Sequence, residues 1–265
     1  MLGAIIGDIV GSRFEFDNYK AKDFDFFSPN CCPTDDSIMT FAVGKAILET
    51  KKNGSDLNQN AIKYMHEIGR NYPTCGYGGG FFHWMFSNDP KPYNSYGNGA
   101  AMRVSAAGNA ADSLNDAIQL SKKVTEVTHN HPEGIKGAEA TAVAIYLAKI
   151  GKTKKEISQY IRDNYYKIDY TIDSIRDIYY FNETCQETVP VALQAFFEST
   201  SYEDAIRNAI SIGGDSDTMA AICGGVAEAF YGIPKNLRTE GISFLDKRLK
   251  SLLKEFEAKF PPKIL

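Results

Sequence analysis

The sequence predicts an all-α protein. Apolar residues recur at helical spacing in most long segments, and sustained period-two alternation bounded by turn residues is hard to find. The composition, 43% apolar and 23% charged side chains, is that of an ordinary soluble globular chain. At 265 residues the chain can bury a sizeable core. No Ser/Gly/Pro linker, low-complexity tract or repeat divides it, so one compact domain over residues 1–265 is expected.

The elements follow in order from local patterning. Leu2 to Val10 is an apolar stretch that carries Asp8 and lacks a preceding basic region, so it does not read as a signal peptide. Ile38, Phe41, Ala42, Val43, Ala46 and Ile47 mark a helix that opens near Ile38. Further helices are expected over about 58–70, 114–126 and 154–164, and a long one over about 239–258. Ala138, Ala142, Ile145 and Ala148 share a face, as do Val191, Ala195 and Phe196, and then Ala205, Ala209 and Ile212. Met219, Ile222, Cys223, Val226 and Phe230 form another apolar face, ended by Gly232 and Pro234. The segments over about 13–34, 71–99 and 164–186 are rich in Gly, Pro, Asp and aromatics, and are expected to be loops.

Charge and cysteine content narrow the partners. With 29 Lys plus Arg against 33 Asp plus Glu, the net charge is −4, and no long block of like charge offers a footprint for nucleic acid or an anionic membrane. No stretch approaches the roughly 20 apolar residues that span a bilayer. Five cysteines with no CxxC pair fit a reducing cytoplasm better than a disulfide framework. A cytoplasmic monomer is therefore expected.

Two helix starts carry clustered oxygen donors. Thr34-Asp35-Asp36-Ser37 precedes the helix at Ile38, and Gly213-Gly214-Asp215-Ser216-Asp217-Thr218 opens the helix of Met219. Thr and Asp are good N-caps, so each motif alone could be a cap. One cap is enough for a helix, however, and closely spaced carboxylates repel one another unless a cation lies between them. The donors are hard oxygens, which suit Mg²⁺, Mn²⁺ or Ca²⁺ and argue against zinc. The spacing after Asp215 is not that of an EF-hand, because Met219 and Val226 fall where oxygen ligands are required.

Three further segments expose backbone or polar groups. Ser95-Tyr96-Gly97-Asn98-Gly99-Ala100-Ala101-Met102-Arg103 has glycines ahead of a small-residue helix, which lets N–H groups approach an anion, but lacks the third Gly of a dinucleotide fingerprint. Tyr77-Gly78-Gly79-Gly80 is a second such turn, without the Lys-Ser/Thr of a P-loop. His129-Asn130-His131 sits beside a helix start at a spacing that does not match a helical zinc pair. Glu15 is a lone acid in a mixed apolar stretch.

These motifs, in the order Gly3-Ala4-Ile5-Ile6-Gly7-Asp8, Gly11-Ser12 with Glu15, Thr34 to Ser37, Gly97 to Arg103, Thr128-His129 and Gly213 to Thr218, resemble the ADP-ribosylglycohydrolase family over about residues 1 to 232. The resemblance implies a compact orthogonal helical bundle with a binuclear metal cleft holding two Mg²⁺ or Mn²⁺. Thr34, Asp35, Asp36, Asp215, Asp217 and Thr218 would be the metal ligands. Glu15, Asp35, Asp36, Asp215 and Asp217 would be the catalytic acids. Ser95, Tyr96, Gly97, Asn98 and Gly99 would contact the diphosphate and ribose, His129 would line the ribose pocket, and Tyr77, Gly78, Gly79 and Met102 complete the candidate substrate contacts.

The implied activity is metal-dependent hydrolysis of the bond between ADP-ribose and an acceptor, either a modified protein or a small conjugate. Arginine is favoured over serine as the linkage. A metal phosphohydrolase acting on a nucleotide or sugar phosphate is the competing enzyme, distinguished by its product. A non-catalytic ADP-ribose binder is the third reading, and the intact set of six ligands counts against it.

Overall fold

The computed structural model describes residues 1–263, and these fold as helices joined by loops. In chain order the helices are α1 (Leu2–Gly11), α2 (Asp35–Asn53), α3 (Leu57–Gly69), α4 (Gly79–Phe86), α5 (Gly99–Met102), α6 (Ser105–Ala110), α7 (Leu114–Thr125), α8 (Pro132–Lys149), α9 (Lys154–Asn164), α10 (Ile172–Ile175), α11 (Cys185–Glu198), α12 (Tyr202–Ile210), α13 (Ser216–Tyr231), α14 (Lys235–Ser243) and α15 (Lys247–Lys259). Among the described residues the extended pairing is a single antiparallel bridge between Gly97 and Thr184. No helix there is long and apolar enough to cross a membrane.

Most boundaries are set by the caps that the sequence carries. Asp56, Ser113, Ser201 and Asp246 each accept a backbone N–H of the following first turn, and Thr153 with Glu156 forms a reciprocal capping box. His131 caps α8 through Nδ1, ahead of Pro132 at the first helical position.

Three expectations are corrected. The long helix expected over about 239–258 is two helices, because Asp246 takes the N–H of Leu249 and starts α15 afresh. The loop expected over about 71–99 contains α4, whose Phe81, Trp84 and Met85 turn inward at helical spacing behind the glycine run that masked them. The loop expected over about 164–186 holds the single turn α10, capped by Thr171. In addition, Ile212 lies beyond the end of α12, although it is buried.

At the centre lies α13, buried from Ser216 to Ala229 and packed by α1, α8, α11 and α12. All ten residues of α1 are buried as well. Gly3, Gly7 and Gly11 recur at every fourth position and face α13. A Cβ at Gly7 would collide with the Ala220 carbonyl, and one at Gly11 with the backbone of Asp217. Glycine therefore lets two backbones approach directly, which sets Asp8 of α1 beside the first turn of α13. Each of Leu2, Ile5, Ile6 and Ile9, fully buried around this seam, contributes on the order of 1.5–3 kcal/mol.

Candidate functional site

At the start of α2, Thr34 is extended and its hydroxyl oxygen accepts the N–H of Asp36 at 3.3 Å. The first turn is satisfied mainly from outside. Oδ2 of Asp8 accepts the N–H of Thr34 and of Ser37, both at 3.0 Å, Oδ1 accepts the Thr34 hydroxyl at 2.6 Å, and the Ser37 hydroxyl also donates to this carboxylate. The work of capping thus falls to Thr34 and Asp8, and the carboxylates of Asp35 and Asp36 are left for another purpose.

The start of α13 is set by Gly213 and Gly214, which have φ of 77° and 76°. In this left-handed region a side chain is strained, and at Gly214 it would also strike the Tyr179 ring. Asn18 holds the turn from outside, accepting the Gly214 N–H at 2.7 Å and donating to the Gly214 carbonyl at 2.9 Å. Asp215 occupies the cap position, yet its side chain caps nothing and instead accepts from Asn98 Nδ2 at 2.7 Å. Asp217 accepts the Thr218 N–H at 3.0 Å, and the Thr218 hydroxyl reaches Asp36 at 3.2 Å.

The two starts therefore face each other. One oxygen from each of Asp8, Asp36 and Asp217 lies within 4.8 Å of the others, and so does one from each of Glu15, Asp215 and Asp217. Asp217 belongs to both sets. Burial, reinforced by neighbouring carboxylates, pushes Asp35, Asp36 and Asp217 well above the usual range. Burial also raises Asp215, and takes Asp8 to about 6 despite its hydrogen bonds. Glu15, half-buried, rises to about 7 through burial and the charges of Asp215, Asp8 and Glu183.

These groups fit a divalent cation. Asp36 Oδ1 is buried with no hydrogen-bond partner. Among the described residues, the ion pairs of Lys and Arg all lie elsewhere. A buried cluster of carboxylates without a counter-charge is completed by a hard cation that accepts oxygen ligands.

A cavity of about 260 Å³ opens over the acids, lined on one side by Glu15, Asp35, Asp36, Asp215, Asp217 and Thr218. Its other side is formed by Gly76, Gly78 to Phe81, Tyr93, Ser95, Gly97 to Gly99, Met102, Arg103 and His129, with Glu183 at the exposed rim. The loop at Gly97 is fixed to the start of α11, since Asn98 N donates to the Glu183 carbonyl at 2.7 Å and Cys185 N to the Tyr96 carbonyl at 2.9 Å. On the same side, α4 begins at Gly79 with no side-chain cap, so its first N–H groups are left to the cavity.

Most residues singled out in the sequence meet in this one cavity. Three sit beside it. Thr34 stands behind Asp36, bonded to Asp8. Tyr77 stacks on Phe81. Tyr96, 46% exposed, turns its ring towards His131. Residues that sequence reasoning left unassigned are Asp8, Met39, Tyr93, Phe81, Arg103 and Glu183. Asp8 did have a signal, as the one ionisable residue in an otherwise apolar ten-residue run.

Comparison with known proteins gives a consistent family. The profile of the ADP-ribosylglycohydrolase family matches residues 1–261. The chain is 24% identical over 317 residues to ADP-ribosylhydrolase ARH3 of Xenopus tropicalis, covering 93% of this chain and 91% of that one. It is 26% identical over 266 residues to an ADP-ribosylarginine hydrolase of Pseudomonas putida, covering 88% and 70%. Among solved structures, a chain of an ADP-ribosylglycohydrolase-related protein complex superposes with a TM-score of 0.70 at 20% identity, covering 97% of this chain and 96% of that one, which speaks for a shared fold.

Proposed function

Because the chain belongs to the ADP-ribosylglycohydrolase family and is thus an ADP-ribosyl glycohydrolase, we propose that it cleaves ADP-ribose from protein arginine in a reaction that needs two Mg²⁺ or Mn²⁺ ions. The observation that carries this reading is Asp217, whose carboxylate completes both acid sets across two facing helix starts. Asp35, Asp36, Asp215, Asp217, Thr34 and Thr218 would hold the ions, with Glu15 and Asp8 close by. When bound, the ions would offset part of the carboxylate charge and orient the oxygens of the substrate.

The chain's own groups divide the remaining work. The diphosphate is received by the uncapped N-terminus of α4 and the Gly97–Gly99 turn, where bare N–H groups and the helix dipole favour an anion. The ribose then lies between His129 and the acids. Cleavage at C1″ passes through an oxocarbenium-like state, which the carboxylates of Asp215 and Asp217 stabilise electrostatically. Glu15, half-buried and near neutral in its titration, takes the proton of the attacking water. Glu183 puts negative charge at the open rim, which suits a guanidinium acceptor, and one relative is named an ADP-ribosylarginine hydrolase.

Chromatography of products from an arginine-ADP-ribosylated protein, with Mg²⁺ and with excess chelator, tests this. Metal-dependent release of ADP-ribose is the expected result. Release of phosphate or AMP would replace the reaction class, and no release by folded protein would reject the arginine linkage and make serine-linked conjugates the next substrate.

A further inference from the structure

Arg103 follows α5, is 1% exposed and lines the cavity over the Phe81 ring, 5.4 Å from its centroid. Among the described residues no carboxylate pairs with it, and its Nε is buried without a partner. An unpaired buried guanidinium is costly, so its contacts carry information. Nη2 donates to the Thr128 hydroxyl at 2.6 Å and faces His129 Nδ1 at 3.2 Å, while the Thr128 hydroxyl lies 2.7 Å from the same Nδ1.

Donor counting decides which imidazole nitrogen carries the proton. A guanidinium has donors and no acceptor, so the nitrogen facing it must offer a lone pair. The Thr128 hydroxyl accepts from Arg103 and can pass its own proton to Nδ1 at 2.7 Å or to the Thr125 carbonyl at 3.3 Å, of which the first is shorter. A proton on Nδ1 would instead set two donors against each other beside a buried positive charge. Burial and the guanidinium also keep His129 from taking a second proton, holding it well below its usual range.

The proton then sits on Nε2, at the cavity wall. Nε2 lies 3.3 Å from where a Cβ on Gly99 would stand and 3.6 Å from one on Gly97, so glycine at both positions keeps the imidazole edge clear. We propose that Arg103 is a positioning residue: with Thr128 it fixes His129 as the neutral Nε2–H tautomer, which presents a single N–H donor to an oxygen of bound ADP-ribose. The assignment of that ligand rests on the functional reading above; the tautomer does not. His129 makes the contact, and Arg103 acts through it while adding positive field at the diphosphate end.

Long-range ¹H–¹⁵N NMR of histidine-labelled full-length protein, with the His129 signal assigned by its loss in His129→Asn, reads the tautomer without any ligand. The expected result is an unprotonated Nδ1 and a protonated Nε2; a protonated Nδ1 overturns the proposal whatever the activity. In Arg103→Lys, which keeps the charge and loses the planar fork, the signal should become a mixture of tautomers. KM should rise about tenfold with kcat little changed. Thr128→Val serves as the second variant should Arg103→Lys not fold, with the same mixture expected. A single Nε2–H tautomer and unchanged KM in a folded variant overturn the positioning role. Failure of wild-type protein to bind ADP-ribose would count against the functional reading, leaving the NMR result to decide Arg103.

Discussion

The acids of the cleft and the wall opposite them are built by different means. Asp36, Asp215 and Asp217 are buried at the starts of long helices that other residues cap or hold. Opposite them, Gly78, Gly97 and Gly99 are backbone turns, and the charge behind them comes from one guanidinium whose Nη2 the chain holds through Thr128 and His129. The first side is left with several carboxylates that lack counter-charges, whereas the second carries a single buried cation whose Nη2 is held by neutral groups of the polypeptide. In the proposed reading, ions from solution are needed on one side of the substrate and not on the other, so perturbations should separate the two.

The largest effect is expected at Asp217, which belongs to both acid sets. Asp217→Asn should lower kcat by about three orders of magnitude or more, with circular dichroism and the affinity for ADP-ribose changed far less. Excess chelator should bring wild-type protein down to the same level. A loss confined to KM would mean that the acids bind substrate instead of serving the reaction.

Next in size is the seam that carries Asp8. Gly7→Ala drives a methyl group into the Ala220 carbonyl between α1 and α13, and should cost on the order of 3 kcal/mol in denaturant unfolding. An equal substitution at Gly79, where nothing lies within 4 Å, should cost far less. If the two glycines proved equivalent, the close approach of α1 to α13 would not be what sets the acidic side.

A pH effect of similar or smaller size follows from the missing counter-charge. Burial holds Asp8 at about 6 against a usual 3.8. Between those values the folded protein keeps a proton that the unfolded chain has lost, so metal-free stability falls as pH rises, by up to about 3 kcal/mol from this group. Glu15, raised to about 7, pushes the same way but is half exposed and contributes less. Melting temperature in chelator should therefore decline from about pH 4 to 7, and saturating Mg²⁺ should flatten the decline. A metal-free protein that grows more stable over that interval would contradict the account of the acids.

The smallest effect is expected opposite the acids. His129→Asn removes one donor and should raise KM about tenfold, with kcat within a few-fold of wild type and no change in metal requirement. A lost metal requirement would merge the two regions into one.

What could be read in advance follows the same division. Thr34 to Ser37 and Asp215 to Thr218 are local: hydroxyls and acids directly before helical periodicity announce both a helix start and more oxygen donors than a cap can use. Asp8 stood out as the one acid of an apolar run, but α1 is buried on all sides and nothing in its own sequence tells that this carboxylate holds the start of α2, 26 positions away. The hidden α4 begins with glycines that read as a turn, and the break before α15 depends on one capping Asp in an otherwise continuous pattern. Glu15 gained meaning from family resemblance, not from its neighbours in sequence. Arg103 lay in plain sight within the Gly97 motif, but its role arises from Thr128 and His129, 25 and 26 positions away, and through-space donor counting has no signature in a single sequence.

Calorimetric titration of metal-free protein with Mn²⁺, in wild type and in Asp217→Asn, tests most directly whether the facing helix starts form one cation site. Two ions bound by wild type, and loss of both in the variant, is the result expected from a carboxylate shared between the sets. A wild type that binds no ion, or an Asp217→Asn protein that binds two with undiminished affinity, would contradict it.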